Sequence, residues 1–178
     1  MTNFASYSLI IILSLGSLTG CRRGTEPETA VAAPKIPGLI GNFAMGQRVE
    51  ITPVTYIAME TRWETKLGEG ANPKVPQNRF LVIKLSVTNG ADTVATIPLM
   101  KLQGTSGQTY EEVTEGADAE PTWLGMLRHV QPVETKEGVV IFDVPLGSYK
   151  LDIPEGDVGQ EKHALIDIPL QLQSTQEQ

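Results

Sequence analysis

The chain has 178 residues, with 21 Asp and Glu against 14 Lys and Arg, a net charge of −7 and one cysteine. An acidic body repels phosphate backbones, so a nucleic-acid partner is not expected. Because the lone cysteine sits at position 21, the remainder has no thiolate nucleophile, disulfide, cysteine-ligated zinc, blue copper or iron–sulfur cluster.

Residues 1–20, MTNFASYSLIIILSLGSLTG, carry no charged side chain, and Leu9 to Leu18 is apolar apart from Ser14, Gly16 and Ser17. That run is too short to cross a bilayer, which takes about 20 residues. It fits the apolar region of a secretory signal, about 7–15 residues, although the segment before it lacks the usual Lys or Arg. Leu18-Thr19-Gly20-Cys21 places an aliphatic residue and two small residues before the cysteine. This resembles the lipobox of bacterial lipoprotein signal peptides. The resemblance implies a diacylglyceryl group on the Cys21 sulfur, cleavage between Gly20 and Cys21, and acylation (palmitate) of the new amino group. Two or three acyl chains anchor a protein stably where one is marginal. Membrane attachment in the cell envelope is therefore expected. The outer membrane is favoured in a diderm, because Arg22 stands where an inner-membrane retention signal would have Asp.

Residues 22–37, RRGTEPETAVAAPKIP, are rich in Ala, Pro, Thr and Glu and show no apolar period. They read as a disordered or extended tether, a flexible linker that could reach roughly 50 Å at about 3.1 Å per residue. The expected organisation is a signal over 1–20, lipidated cysteine and linker over 21–41, one domain over 42–172 and a tail over 173–178. About 158 residues follow the signal, enough for one core that needs no disulfide.

The domain reads as β. QRVEITPVTYIAM is a weak first strand region. RFLVIKLSVTNG follows, with Leu81, Ile83, Leu85 and Val87 on one face and Lys84, Ser86 and Thr88 on the other, a period of two. Asn89-Gly90 is a turn signal. TVATIPLMKL and QTYEEV are weaker, with a hairpin turn expected at Gly104-Thr105-Ser106-Gly107. AEPTWLGMLR has at most a short helical character. GVVIFDVP sets Val140, Phe142 and Val144 opposite Val139, Ile141 and Asp143. SYKLDIP sets Tyr149, Leu151 and Ile153 opposite Lys150 and Asp152. ALIDIPLQL offers Ala164, Ile166, Ile168 and Leu170 as an inner row. Pro53, Pro98, Pro145 and Pro169 belong at strand ends or bulges. About seven short strands separated by turns predict an all-β antiparallel sandwich.

Gly46-Gln47-Arg48-Val49, Phe80 to Asn89, Gly107 to Tyr110, Gly138 to Pro145 and Tyr149-Lys150-Leu151 together resemble the telokin-like, immunoglobulin-type extracellular domains of bacterial lipoproteins and secreted proteins. The resemblance covers roughly residues 42–171 and implies an exported immunoglobulin-like sandwich. It transfers no catalytic residue. That family has a Pro-Gly turn before its Gly-x-x-x-Phe-Asp-x-Pro strand, whereas this chain has Gln131-Pro132-Val133-Glu134.

His129 and His163, the two histidines, fall on different predicted elements and lack zinc-protease spacing. No enzyme, cofactor or metal site is expected. The dense charge feature is YEEVTEGADAEPTW, with Glu111, Glu112, Glu115, Asp118 and Glu120. It reads either as a solvated acidic loop that protects a sheet edge or as a divalent-cation or small-ligand site, since hard cations take several oxygen ligands. Trp123 directly after it reads either as a binding anchor or as a cap on the core. The expected function is that of a membrane-anchored, noncatalytic, monomeric envelope module that binds a protein partner.

Overall fold

The computed structural model describes residues 37–69, 72–155 and 162–171, and these belong to one compact unit that begins at Pro34. The signal, Cys21 and residues 173–178 lie outside the described residues. The strands are β1 (Leu39–Ala44), β2 (Val49–Ile51), β3 (Val54–Glu64), β4 (Arg79–Asn89), β5 (Ala95–Thr96), β6 (Lys101–Gly104), β7 (Thr109–Glu111), β8 (His129–Val130), β9 (Thr135–Val144), β10 (Tyr149–Pro154) and β11 (His163–Ile168). They form one sheet in the order β2-β3-β4-β9, a second in the order β1-β11-β10-β6-β7, and a small β5-β8 pair.

The period-two faces point as the residues require. Leu81, Ile83, Leu85 and Val87 of β4, Val140, Phe142 and Val144 of β9, and Tyr149, Leu151 and Ile153 of β10 meet in one core between the sheets. Ala164, Ile166 and Ile168 of β11 join them, but Leu170 lies past the end of that strand and is exposed. The architecture is the expected β-sandwich. It has eleven strands among the described residues, against about seven expected: Pro53 separates β2 from β3, Pro98 separates β5 from β6, and β1 and β8 are additional.

Three further differences have local causes. The first strand begins at Leu39, inside the segment read as linker, and pairs parallel with β11. Its alternating burial is carried by Leu39, Gly41 and Phe43, too little apolar character to mark a strand in the sequence. Asn89-Gly90 does not close a hairpin. Asn89 is fully buried, and its amide nitrogen donates to the carbonyls of Thr93 (2.7 Å) and Val130 (3.0 Å) while its side-chain oxygen accepts from the Ala91 amide (2.9 Å). It ties β4 to the β5-β8 pair. The segment 119–128 holds no α-helix; a single 3-10 turn spans Ala117–Ala119 just before it.

A second apolar cluster lies on the outer face of the β2-β3-β4-β9 sheet. Phe80 and Val82 of β4 and Val139 and Ile141 of β9 are buried there under Leu67 and Ala117, with Val113 and Trp123 packed against them. Both faces of β4 and β9 are thus covered at this point, which explains the near-continuous apolar runs FLVI and VVIF.

The two ends of the sandwich differ. Ile51 pairs with Val54, Asn89 pairs with Val54, and the Asn89 amide donates to the Glu134 carbonyl (2.9 Å), so the turns at 52–53, 90–94 and 131–134 share one end. At the other end β9 crosses to β10 through residues 145–148, and the Tyr149 hydroxyl donates back to the Pro145 carbonyl (2.5 Å). Tyr149 pairs with Ile168 and Leu39 pairs with His163. The chain therefore enters β1 at the end that carries the three turns.

Candidate functional site

Residues 111–128 leave β7, cover the free edge of β9 and return to β8. Val113 donates its amide to the Ile141 carbonyl (2.8 Å) and Leu124 donates to Val139 (3.1 Å), while Val139 donates to Thr122 (2.8 Å). Gly138 makes this approach feasible: a Cβ there would stand 2.5 Å from Leu124 Cδ2 and 2.9 Å from the Thr122 carbonyl oxygen. The edge of the sheet is closed by a loop rather than by charge repulsion alone.

The five acids of this segment go to different places. Glu111 is exposed and pairs with Lys101 (2.9 Å), and that carboxylate holds the Lys101 ammonium above its ordinary range. Glu112 turns inward. Its carboxylate is gripped by both Nη atoms of Arg128, at 3.0 Å for Nη1 to Oε2, and accepts the Met100 amide (3.3 Å). Arg128 is fully buried and also donates to the carbonyls of Gly125 and Pro98. Glu115 and Asp118 are exposed. Glu120 accepts the Thr122 hydroxyl (2.6 Å) and amide (3.3 Å) and pairs with Arg62. Partial burial pushes the Glu120 carboxyl up, but the Thr122 hydrogen bonds and the Arg62 guanidinium outweigh it and hold the group below the usual range. Among the described residues no three His, Asp or Glu side chains gather as a metal set. Glu111, Glu112 and Glu120 each already hold a basic side chain, so the five acids do not converge on one point.

Of the two readings of Trp123, its surroundings favour the cap. It is half-buried against the outer cluster, bridges to Val139 in parallel, and buries its indole Nε1 with no hydrogen-bond partner. It roofs the sheet and is not a free apolar anchor. Trp63, the other tryptophan, packs against the main core with its ring 6.5 Å from that of Tyr149.

What the loop does expose is its tip. Gly125 takes φ 83°, a left-handed conformation natural to glycine, and the chain then presents Met126 and Leu127, 56% and 82% exposed, before Arg128 dives into the interior. Leu99 is exposed beside Pro98, whose carbonyl Arg128 holds. Sequence reasoning read the acids and Trp123 and passed over Arg128. A lone Arg among apolar residues after an acidic run is the only available signal for the pair.

Two grooves flank the sheets. One of about 280 Å³ lies on the outer face beside Thr122, with Arg62 and Lys84 among Glu60 and Glu137. Lys84 pairs with Glu137 (3.3 Å) and Glu60 (3.8 Å). The other, about 470 Å³, lies by Gly104, Ser148 and Pro169 over the Lys150–Asp167 ion pair. The histidines stand apart: His129 faces the Thr96 hydroxyl (3.3 Å) and His163 faces Asp152 (2.9 Å).

No curated protein matches the chain. Among solved structures, the yjhA protein from Bacillus subtilis is similar at TM-score 0.56 and 12% identity, over 71% of this chain and 98% of that one. A protein from Bacillus subtilis subsp. subtilis str. 168 described as a "putative lipoprotein (ycdA)" is similar at TM-score 0.54 and 14% identity, over 71% of this chain and 39% of that one. A functionally unknown protein from Listeria monocytogenes EGD-e is similar at TM-score 0.53 and 11% identity, over 72% of this chain and 84% of that one. At these identities the likeness is one of fold. The sequence pattern described as a domain of unknown function (DUF4352) matches residues 43–163, well over half of the chain, and the chain belongs to that family.

Proposed function

We propose that this protein is a lipid-anchored envelope protein whose sandwich is a noncatalytic recognition module, with the Gly125–Leu127 tip as its protein-binding surface. One observation carries the surface: the exposed side chains of Met126 and Leu127 immediately precede Arg128, which is fully buried in its pair with Glu112. A buried ion pair is a poor source of stability compared with an apolar replacement, but it fixes geometry. Here it clamps Gly125, Pro98 and Met100 and so holds the tip in one conformation. Loops held on a rigid sheet scaffold are where binding residues concentrate, and a preorganised tip loses little entropy on binding.

The immunoglobulin-type reading is supported by the strand order. β3-β4-β9 and β6-β10-β11 correspond to A-B-E and C-F-G. The Tyr149 hydroxyl bonded to the carbonyl four residues earlier, where the chain changes sheets, matches the tyrosine corner of such folds. The lipid anchor is supported by Leu18-Thr19-Gly20-Cys21 after an apolar run, and the fold likeness to ycdA is consistent with it.

The test is chemical cross-linking on native membranes, followed by mass spectrometry, with the wild type and a Met126→Ser/Leu127→Ser variant. Both positions are exposed, so stability should stay within about 0.5 kcal/mol of wild type. Loss of the cross-linked partner from a folded variant is expected; an unchanged partner set would overturn the assignment of the surface. Fatty-acid labelling that persists in Cys21→Ala would overturn the anchor.

A further inference from the structure

The end of the sandwich where the chain enters β1 has a distinct composition. In its three turns, 52–53, 90–94 and 131–134, the exposed side chains include Pro53, Val94, Pro132 and Val133, and Asp92 is the one fully exposed ionisable group. Glu134 is folded back, its Oε2 accepting the Gln131 amide (2.6 Å). The three turns thus expose a single charge, Asp92, and the β10–β11 turn at the same end adds Glu155 paired with Lys162 (3.3 Å).

Val133 adds an independent signal. Gln131 to Glu134 form a turn closed by the Glu134 amide on the Gln131 carbonyl (3.1 Å), with Pro132 second and Val133 third. Val133 takes φ 61°. With Pro second and positive φ third, this is a turn position for glycine, and a β-branched residue there is strained. Its side chain is 83% exposed and Val94 is 51% exposed, so packing within the domain does not explain the choice of valine. Both are rigidly placed, because Asn89 binds the Thr93 and Val130 carbonyls and accepts its neighbour's amide, while its backbone holds Glu134.

We infer that this end docks on a lipid bilayer, with Val133 and Val94 seated at headgroup depth. The inference rests on the lipid-anchor reading above. The position of the tether favours a lipid surface over a protein. Sixteen residues, 22–37, separate Cys21 from Gly38, and Gly38 is hydrogen-bonded to His163 at this same end. Sixteen residues, even at about 3.1 Å each, reach no farther than roughly 50 Å. The turns are thus held near the surface that carries the acyl chains, at an effective concentration high enough for a few apolar contacts to count. Exposed aliphatic side chains suit the interface. The acidic body adds repulsion from anionic lipid, so docking is expected to weaken as anionic lipid increases. In this orientation the Tyr149 end points away from the membrane.

The test uses the full-length protein, exported and acylated, in phosphatidylcholine vesicles. Single cysteines at Val133→Cys, Val94→Cys and Leu146→Cys carry a nitrobenzoxadiazole probe. Leu146 is 48% exposed at the opposite end and is the control. Acylation consumes the Cys21 thiol, so wild type takes up no probe; a labelled wild type that fails to float with vesicles would show that the anchor reading is wrong, and this inference would fall with it. With wild type unlabelled and vesicle-bound, nitroxides near the lipid carbonyls should quench the Val133 and Val94 probes at least about threefold more than the Leu146 probe. Equal quenching at all three positions, or stronger quenching at Leu146, would overturn the docking while leaving the anchor intact. Val94 keeps the test valid if Val133→Cys alters its turn.

Discussion

Arg128 shows how much one residue decides here. Its side chain is inaccessible and holds Glu112 and two carbonyls at once. Arg128→Ala should therefore cost about 3–5 kcal/mol, because it leaves a buried carboxylate uncompensated. Glu112→Ala/Arg128→Ala together should cost clearly less than the two single losses added. Urea denaturation of the four proteins measures this coupling; additive losses would mean that the two charges are independently satisfied. Glu120 makes a pH prediction with a definite sign. Its folded-state pKa lies below the unfolded value, so its contribution is present in full above the unfolded carboxylate pKa and is lost as pH falls through the folded one. Thermal unfolding from neutral to acid pH should show a smaller acid-side fall in Glu120→Gln than in wild type. Identical slopes would remove Glu120 from the acid sensitivity.

At the level of elements, the informative unit is the roof over the four-stranded sheet. Residues 113–124 bury Val139 and Ile141 of β9 and Phe80 and Val82 of β4 from the outside, while the opposite faces of the same strands build the main core. Trp123→Ala removes a large half-buried ring from this roof. It should lower stability by about 2–4 kcal/mol, toward the low side of core tryptophan losses. Gly138→Ala should destabilise by about 1–3 kcal/mol through overlap with Leu124 and Thr122. Both variants should also speed hydrogen exchange at the Val139 and Leu124 amides, which bridge loop and strand. A Trp123→Ala protein of wild-type stability would restore the tryptophan as a free binding residue.

For the whole molecule, the core runs continuously from β2 to β11 and involves no covalent cross-link, since the only cysteine is at position 21. The denaturation midpoint of the domain should not move when a strong thiol reductant is added, and its far-ultraviolet circular dichroism should be that of β-structure. A shift with reductant would require an intermolecular disulfide through an unacylated Cys21. The two ends of the sandwich have separate characters. The three turns carry little exposed charge, and their end receives the chain from its N-terminal side; the tip at Met126 and Leu127 projects from the covered edge of β9.

The sequence by itself determined the β class and the inward faces of β4, β9 and β10. Period-two alternation is a local property, and burying one face of each strand satisfies it in only one way. It also offers Leu18-Thr19-Gly20-Cys21, the contiguous pattern on which the proposed export and lipid anchor rest. It did not determine the fate of the acidic run. Glu111, Glu112 and Glu120 look alike along the chain, yet their partners Lys101, Arg128 and Arg62 lie 10, 16 and 58 residues away. Only the crossing of β6, β8 and β3 past this segment sorts one acid into the interior and leaves the others outside. Trp123 and Asn89 were decided in the same way. An indole suits a surface anchor or a roof equally well, and an Asn-Gly pair suits a hairpin or a buried tie. The choice depends on which distant backbone passes within contact, and that is a property of the tertiary structure.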